Sequence, residues 1–272
     1  MGIANVVSRV FRKAVFRERT TGGSPDRDVV EFCMPPFIRG ETDVSEWIKL
    51  GIQGFKEWYQ PVDFGDGLVA HVTTPPDWRP KPELDPVRGM AKWGFILKMH
   101  IPDVSGKRIL DLGCNNGVFS LQLARMGARE VIGIDRDRKI RQKSAPYLPV
   151  QNVIAQANFV KQAFEIKEGV KYPVRYIAHD IARISELDLG RFDLILALCV
   201  VYHELDNTPR LLQKLSTMTD HIVLQTCLEH DGELGKWASP YLLAELLVNV
   251  GFTRVEIDAP TNYSWPMIVG KH

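Results

Sequence analysis

From residue 107 to its C-terminus the sequence predicts an α/β fold, a mostly parallel sheet with helices on both faces. Three observations carry that prediction. Apolar runs of strand length alternate with segments of helical period. The run at residues 192–199 is apolar almost throughout, as in a strand covered on both faces. The turn Gly113-Cys114-Asn115-Asn116-Gly117 joins the first run to the first helix, at the edge where such sheets take ligands.

In chain order, residues 108–112 read as the first strand, 119–126 as a helix and 130–134 as the second strand. Residues 136–145 have a helical pattern, and the stretch 146–172 is long enough to carry an extra helix. Strands follow at 174–178 and 192–199, then a helix at 208–216 and a strand at 221–225. A helix at 240–249 and two closing strands at 253–257 and 266–270 complete the core.

The upstream part differs in texture. In residues 3–19 the apolar positions Ile3, Val6, Val7, Val10, Phe11, Ala14 and Val15 recur on one helix face, interleaved with Arg9, Arg12, Lys13, Arg17 and Arg19. Such a basic amphipathic helix suits an anionic membrane surface or RNA, or packs on its own core. Residues 43–60 read as a helix. Residues 61–86 hold six prolines and predict extended loop, with a short hairpin around Gly65-Asp66-Gly67. Residues 86–100 read as a helix leading into the core. The division expected is an extension over residues 1–100, serving as a substrate lid or packing onto the sheet, and a core over 101–272.

Composition narrows the function classes. The chain has 272 residues, 45% hydrophobic and 25% charged, with a formal net charge of +1. That balance fits a globular domain and supplies no overall attraction to nucleic acid. The four cysteines, Cys33, Cys114, Cys199 and Cys227, form no C-x-x-C pair and point to no disulfide framework or metal site. No apolar run reaches membrane-spanning length. A cytoplasmic protein is expected.

The chemistry resides in three strand ends. Gly113 permits the tight turn, Gly117 lets the next helix begin beside a ligand, and Asn115 tolerates left-handed backbone angles. Asp135, ending Val131-Ile132-Gly133-Ile134-Asp135, can accept both hydroxyls of a ribose. Asp180, after the third strand, can accept from an adenine amino group. Together they make a nucleoside-binding set. A dinucleotide oxidoreductase would space its glycines G-x-G-x-x-G, whereas here they stand four apart, with Asp111 two places ahead of the first.

This pattern resembles the class I S-adenosylmethionine-dependent methyltransferases, over residues 107–272. The resemblance implies a Rossmann-like seven-stranded sheet whose last strand runs antiparallel, and S-adenosyl-L-methionine as cofactor. A narrower likeness exists. Cys199-Val200-Val201-Tyr202-His203, Ser239-Pro240-Tyr241-Leu242, Gly251-Phe252, Trp78 and Lys92-Trp93 are similar to the tRNA wobble-uridine (carboxy)methyltransferases. It implies cofactor contacts at Gly113, Asp135, Arg136, Asp180, Ile181, Leu198 and Tyr202. Asp111, Asn115 and Gly117 join them from the loop. Some of those enzymes hold a carboxylated cofactor with a lysine, the tyrosine and an arginine before the last strand. Here Tyr202 matches, Trp265 stands in the arginine's place, and no lysine matches. A carboxylate left with one hydroxyl would be poorly compensated, so ordinary methyl transfer is expected.

The cofactor brings the reactive methyl, so the protein must align the nucleophile and, for a hydroxyl, take its proton. His203 is the candidate base, or a histidine that caps the next helix or bonds a loop; Tyr202 is a cofactor or substrate contact, or a core tyrosine with a satisfied hydroxyl. Glu229, His230 and Asp231 share that edge, with no second cluster to complete a metal site. Trp58, Tyr59, Trp78 and Trp93 suit an aromatic lid, or pack the extension on the sheet. Arg136, Arg138, Lys139, Arg141 and Lys143 suit an RNA backbone or a solvated helix face. A small-molecule acceptor methylated at oxygen is the first expectation, tRNA the second, and a non-catalytic cofactor-binding partner protein the third.

Overall fold

The structure, a computed structural model, describes residues 17–18, 30–31, 34–55, 58–71, 93–94, 100–136, 153–226, 236–259 and 265–272. Seven strands form the central sheet: β1 (Arg108–Leu112), β2 (Glu130–Asp135), β3 (Val174–Ala178), β4 (Leu194–Leu198), β5 (His221–Gln225), β6 (Arg254–Asp258) and β7 (Met267–Lys271). The helices are α1 (Val44–Gly54), α2 (Val118–Arg125), α3 (Val153–Glu168), α4 (Thr208–Ser216) and α5 (Pro240–Asn249). The strand order is β6-β7-β5-β4-β1-β2-β3. Strands β1 to β5 pair in parallel, and β7 runs antiparallel to both β5 and β6. This is the expected α/β architecture, including the antiparallel last strand.

Every residue of β4 is buried and β1 is buried from Ile109 onward, because helices cover both faces. Alternation along the strands divides the core in two. Ile109, Leu194, Leu196 and Val223 face a cluster shared with α1, α2 and α3. Leu110, Leu112, Ile195, Ala197, Ile222 and Leu224 face the cluster under α4 and α5. Edge strand β6 is partly exposed along its length.

The upstream segment belongs to the first cluster. Asp43 caps α1 by accepting from the Glu46 backbone N–H at 2.8 Å. The helix then ends at Gly54, so the 43–60 helix expected from periodicity stops early. Trp58 lies outside it, with its Nε1 donating to the Ile52 carbonyl at 3.2 Å. The expected hairpin is present: Val62–Asp63 pairs antiparallel with Val69–Ala70 around Gly65-Asp66-Gly67. Phe159 of α3 is the hub. Its ring lies 5.2 Å from Trp47, 5.6 Å from Phe55, 6.3 Å from Trp58 and 5.6 Å from Phe64. Trp93 stacks on Phe119 at 5.3 Å. Trp58 and Trp93 are thus buried in this packing, and Tyr59 is half-buried.

Other expectations need correction. Arg17–Glu18 pairs antiparallel with Val30–Glu31, where the periodicity predicts helix. Arg136 is not helical. The remainder of the 3–19 and 136–145 helices, most of 86–100, Trp78 and residues 229–231 lie outside the described residues. Helix α3 is the extra helix expected within 146–172.

Candidate functional site

The neighbours of β1 are β4 on one side and β2 on the other, so the chain reverses its direction of winding here. In sheets of this kind a ligand crevice lies at such a point, beyond the carboxyl ends of the strands. One wall is the loop 113–117. Gly113 has φ 77° and Gly117 φ 76°, and Asn115 enters the left-handed region at φ 49°. The two glycines are also sterically required. A Cβ on Gly113 would lie 2.7 Å from Val200 Cγ2, and one on Gly117 would lie 2.3 Å from Tyr176 Oη.

Asp135 is fastened to that loop. Its Oδ2 accepts from the Asn115 backbone N–H and its Oδ1 from the Arg136 backbone N–H, both at 2.7 Å. Asp180 caps the turn after β3, its Oδ1 accepting from the Ala182 N–H at 3.0 Å. The same oxygen takes Arg136 Nε at 3.0 Å and Nη2 at 2.8 Å. Among the described residues nothing occupies its Oδ2, which leaves an acceptor for an exocyclic amine.

Asp111 does not open on the crevice. It is 2% exposed and accepts from Ser120 Oγ at 2.5 Å. Burial pushes its carboxyl from 3.8 up to about 7, the nearby Asp135 charge adds to this, and Ser120 opposes it. Its place is beneath the loop, bracing the first turn of α2. Ile181 and Leu198 are buried among apolar neighbours at the two flanks.

The other wall is the turn after β4, residues Cys199 to Asn207. Cys199 has φ 55°, and Leu205 has φ 49° with ψ −119°. Each such conformation in a residue with a side chain costs about 1–3 kcal/mol and persists only where the surroundings over-determine it. Here Cys199 donates its backbone N–H to the Gln225 carbonyl at 2.9 Å and its thiol to Gln225 Oε1 at 3.1 Å. Thr208 Oγ1 donates to the Val201 carbonyl at 2.9 Å. Glu204 forms an ion pair with Arg136 Nη2. Burial raises the Glu204 carboxyl, and Arg136 partly offsets that rise. Tyr202 is buried with Ala238, and Cys199, Trp237 and Trp265 pack against them. The His203 ring lies 4.5 Å from that of Tyr202.

The structure therefore brings Gly113, Asn115, Gly117, Asp135, Arg136, Asp180, Tyr202 and His203 to one edge. Arg136 is no free cation of a basic face, since two carboxylates hold it. Sequence reasoning missed Ser120, Glu204, Trp237 and Asn116. Asn116 is fully buried and donates its Nδ2 to the Gln60 carbonyl at 2.9 Å, tying the loop to the upstream segment. Ser120, one helical turn into α2 behind the acid, was the one detectable signal. Among the described residues no group of three His, Cys, Asp or Glu could hold a metal ion, and no helix is long and apolar enough to cross a membrane.

A glycine loop with carboxylates at the ends of β2 and β3, on a sheet of this order, defines a class I S-adenosylmethionine-dependent methyltransferase. The match to known proteins agrees: the methyltransferase domain family covers residues 94–262, and the chain belongs to that family. Its cofactor is S-adenosylmethionine. A tRNA U34 carboxymethyltransferase of Cellvibrio japonicus is 26% identical over 92% of this chain and 72% of its own length. One from Alteromonas mediterranea is 24% identical, over 62% of this chain and only 43% of that protein. Among solved structures, the bifunctional kinase-methyltransferase WbdD shares the fold. Its TM-score is 0.55 at 20% identity, over 82% of this chain and 46% of that one.

Proposed function

We propose that the chain transfers a methyl group from S-adenosylmethionine to an oxygen of a small-molecule acceptor. The observation that carries this reading is the wall built from Tyr202, Trp237, Trp265, Cys199 and Ala238. Three of these five side chains are aromatic, which supports a flat, weakly charged acceptor. Trp265 stands where the resemblance expects an arginine.

In this reading Asp135 takes the ribose hydroxyls and Asp180 Oδ2 the adenine amine, while Gly113, Asn115 and Gly117 let the loop backbone approach. Arg136 orients Asp180; Ile181 and Leu198 supply apolar flanks; Asp111 holds the loop from below. The cofactor, when bound, would supply an electrophilic methyl on a sulfonium with a neutral thioether as leaving group. Tyr202 forms the floor on the acceptor side. His203 takes the acceptor proton at a ring nitrogen as the new bond forms, a role worth about 10²–10⁴ in rate. The proposal further takes residues 101–272 as the cofactor-binding core and 1–100 as its extension. It places the protein in the cytoplasm, with residues 3–19 available for peripheral contact.

The relatives named tRNA U34 carboxymethyltransferase favour a second reading, with tRNA as acceptor. One experiment separates the two. The protein is incubated with methyl-tritiated S-adenosylmethionine and either a low-mass metabolite extract or bulk tRNA. Label in the low-mass fraction supports the first reading. Label in tRNA, lost steeply as salt rises, moves the second ahead of it.

A further inference from the structure

We propose that Glu204 is a positioning residue. Acting through Arg136, it ties the adenine-side carboxylate Asp180 to the turn that carries Tyr202 and His203. The inference rests on the methyltransferase reading and adds a coupling between its two walls.

The starting point is the shared guanidinium. Arg136 Nη2 reaches Asp180 Oδ1 at 2.8 Å and also pairs with Glu204, while Nε returns to Asp180 Oδ1 at 3.0 Å. A guanidinium is a planar, rigid fork, so two carboxylates bound to it are fixed relative to each other. These two come from different walls of the crevice. Asp180 follows β3, and Glu204 stands one residue past His203 on the turn after β4. The side chains of Arg136 and Glu204 are only 20% and 6% exposed, so solvent screens their attraction little.

The turn needs such a tie. Two of its residues, Cys199 and Leu205, have positive φ without being glycine, and a conformation of that kind relaxes when its supports are removed. Gln225 holds the β5 end through Cys199, and Thr208 holds the α4 end through Val201. On the side of β2 and β3, Arg136 holds the turn through Glu204. Tyr202 and His203 lie between these points. A ligand amine that draws on Asp180 Oδ2 therefore acts on the carboxylate that Arg136 already grips, and that grip continues to Glu204. Cofactor occupancy on the adenine side thereby sets how firmly Tyr202 and His203 are held on the acceptor side.

The test uses the full chain and S-adenosylhomocysteine as the probe. Amide hydrogen exchange is measured over residues 201–207 and 113–117, and affinity by calorimetry. In the wild type the probe should slow exchange at both segments, by about tenfold at the turn, the scale of an ordinary coupling between sites. Glu204→Gln should bind the probe within about threefold of wild type and keep the protection of 113–117. Its protection of 201–207 should drop below about twofold. Unchanged protection of the turn in Glu204→Gln would overturn the proposal. So would an affinity that falls in parallel with it, since Glu204 would then be part of the binding site itself. Should that variant fail to fold, Glu204→Asp replaces it, keeping the charge on a shorter side chain. Intermediate protection would support the tie, and full wild-type protection would refute it. A wild-type chain that does not bind the probe would instead refute the cofactor reading, and the inference with it.

Discussion

Replacing Asp111 by Asn should make the protein more stable at pH 8 and change little in acid. Asp111 lies on the central strand β1 at 2% exposure, with Ser120 Oγ donating to it at 2.5 Å. Burial raises its carboxyl from 3.8 to about 7 in the folded chain. A folded value above the unfolded one means that folding takes up a proton. Below the unfolded value both states are protonated and pH has no effect through this group. Between the two values stability falls as pH rises, and above the folded value the full cost of ionising a buried carboxyl is present. At 1.36 kcal/mol per pH unit, wild type should lose about 2 kcal/mol through this group between pH 5 and pH 7 and only a few tenths of a kcal/mol more by pH 8. Asn keeps the acceptor for Ser120 and cannot ionise. Urea unfolding of both proteins at pH 5, 6, 7 and 8 measures the difference directly. The Asn variant should gain by that amount and then level off. A difference that is constant across pH, or a variant less stable at pH 8, would refute the placement of Asp111 as a buried, protonatable group.

Asp135→Ala removes the acceptor assigned to the two ribose hydroxyls; at roughly 1.5–3 kcal/mol per hydrogen bond to a charged group, S-adenosylhomocysteine binding should weaken by about 10²-fold or more in calorimetry. Unchanged affinity would reject the ribose assignment. His203→Ala should cut methyl transfer by about 10²–10⁴ while leaving cofactor affinity within a few-fold, and turnover equal to wild type would remove His203 as the base. Phe159→Ala should cost about 3–5 kcal/mol in urea unfolding, because the ring fills the contact among Trp47, Phe55, Trp58 and Phe64. A loss under about 1 kcal/mol would mean that the upstream segment is not part of the main core.

Much of this protein is local and was legible as sequence. The bounds of β1, β3, α4, β5 and α5 follow residue for residue from hydrophobic period and from Pro and Gly at their ends. Elsewhere neighbours decided. Strand β4 is shorter than its apolar run because Phe192 makes only an isolated bridge to Thr219, and the Asp193 side chain turns back to accept from Arg108 N–H at 2.7 Å. The helix from residue 43 ends at Gly54, where the chain turns so that Phe55 and Trp58 can reach Phe159.

The sequence by itself determined the α/β order, the glycine loop and the two carboxylates that follow β2 and β3. Each of these rests on residues close in the chain, whose periodicity and backbone freedom act over one turn or one strand. Only the tertiary structure decided what the polar groups do. Asp111 is buried against Ser120. Arg136 grips Asp180 and Glu204, the latter 68 positions away. Tyr202 and Ala238 form one cluster, against which Trp237 and Trp265 pack. A buried charge takes whichever partner the fold brings within hydrogen-bond reach, and that is set by how the sheet winds about β1, a property no local stretch of sequence contains.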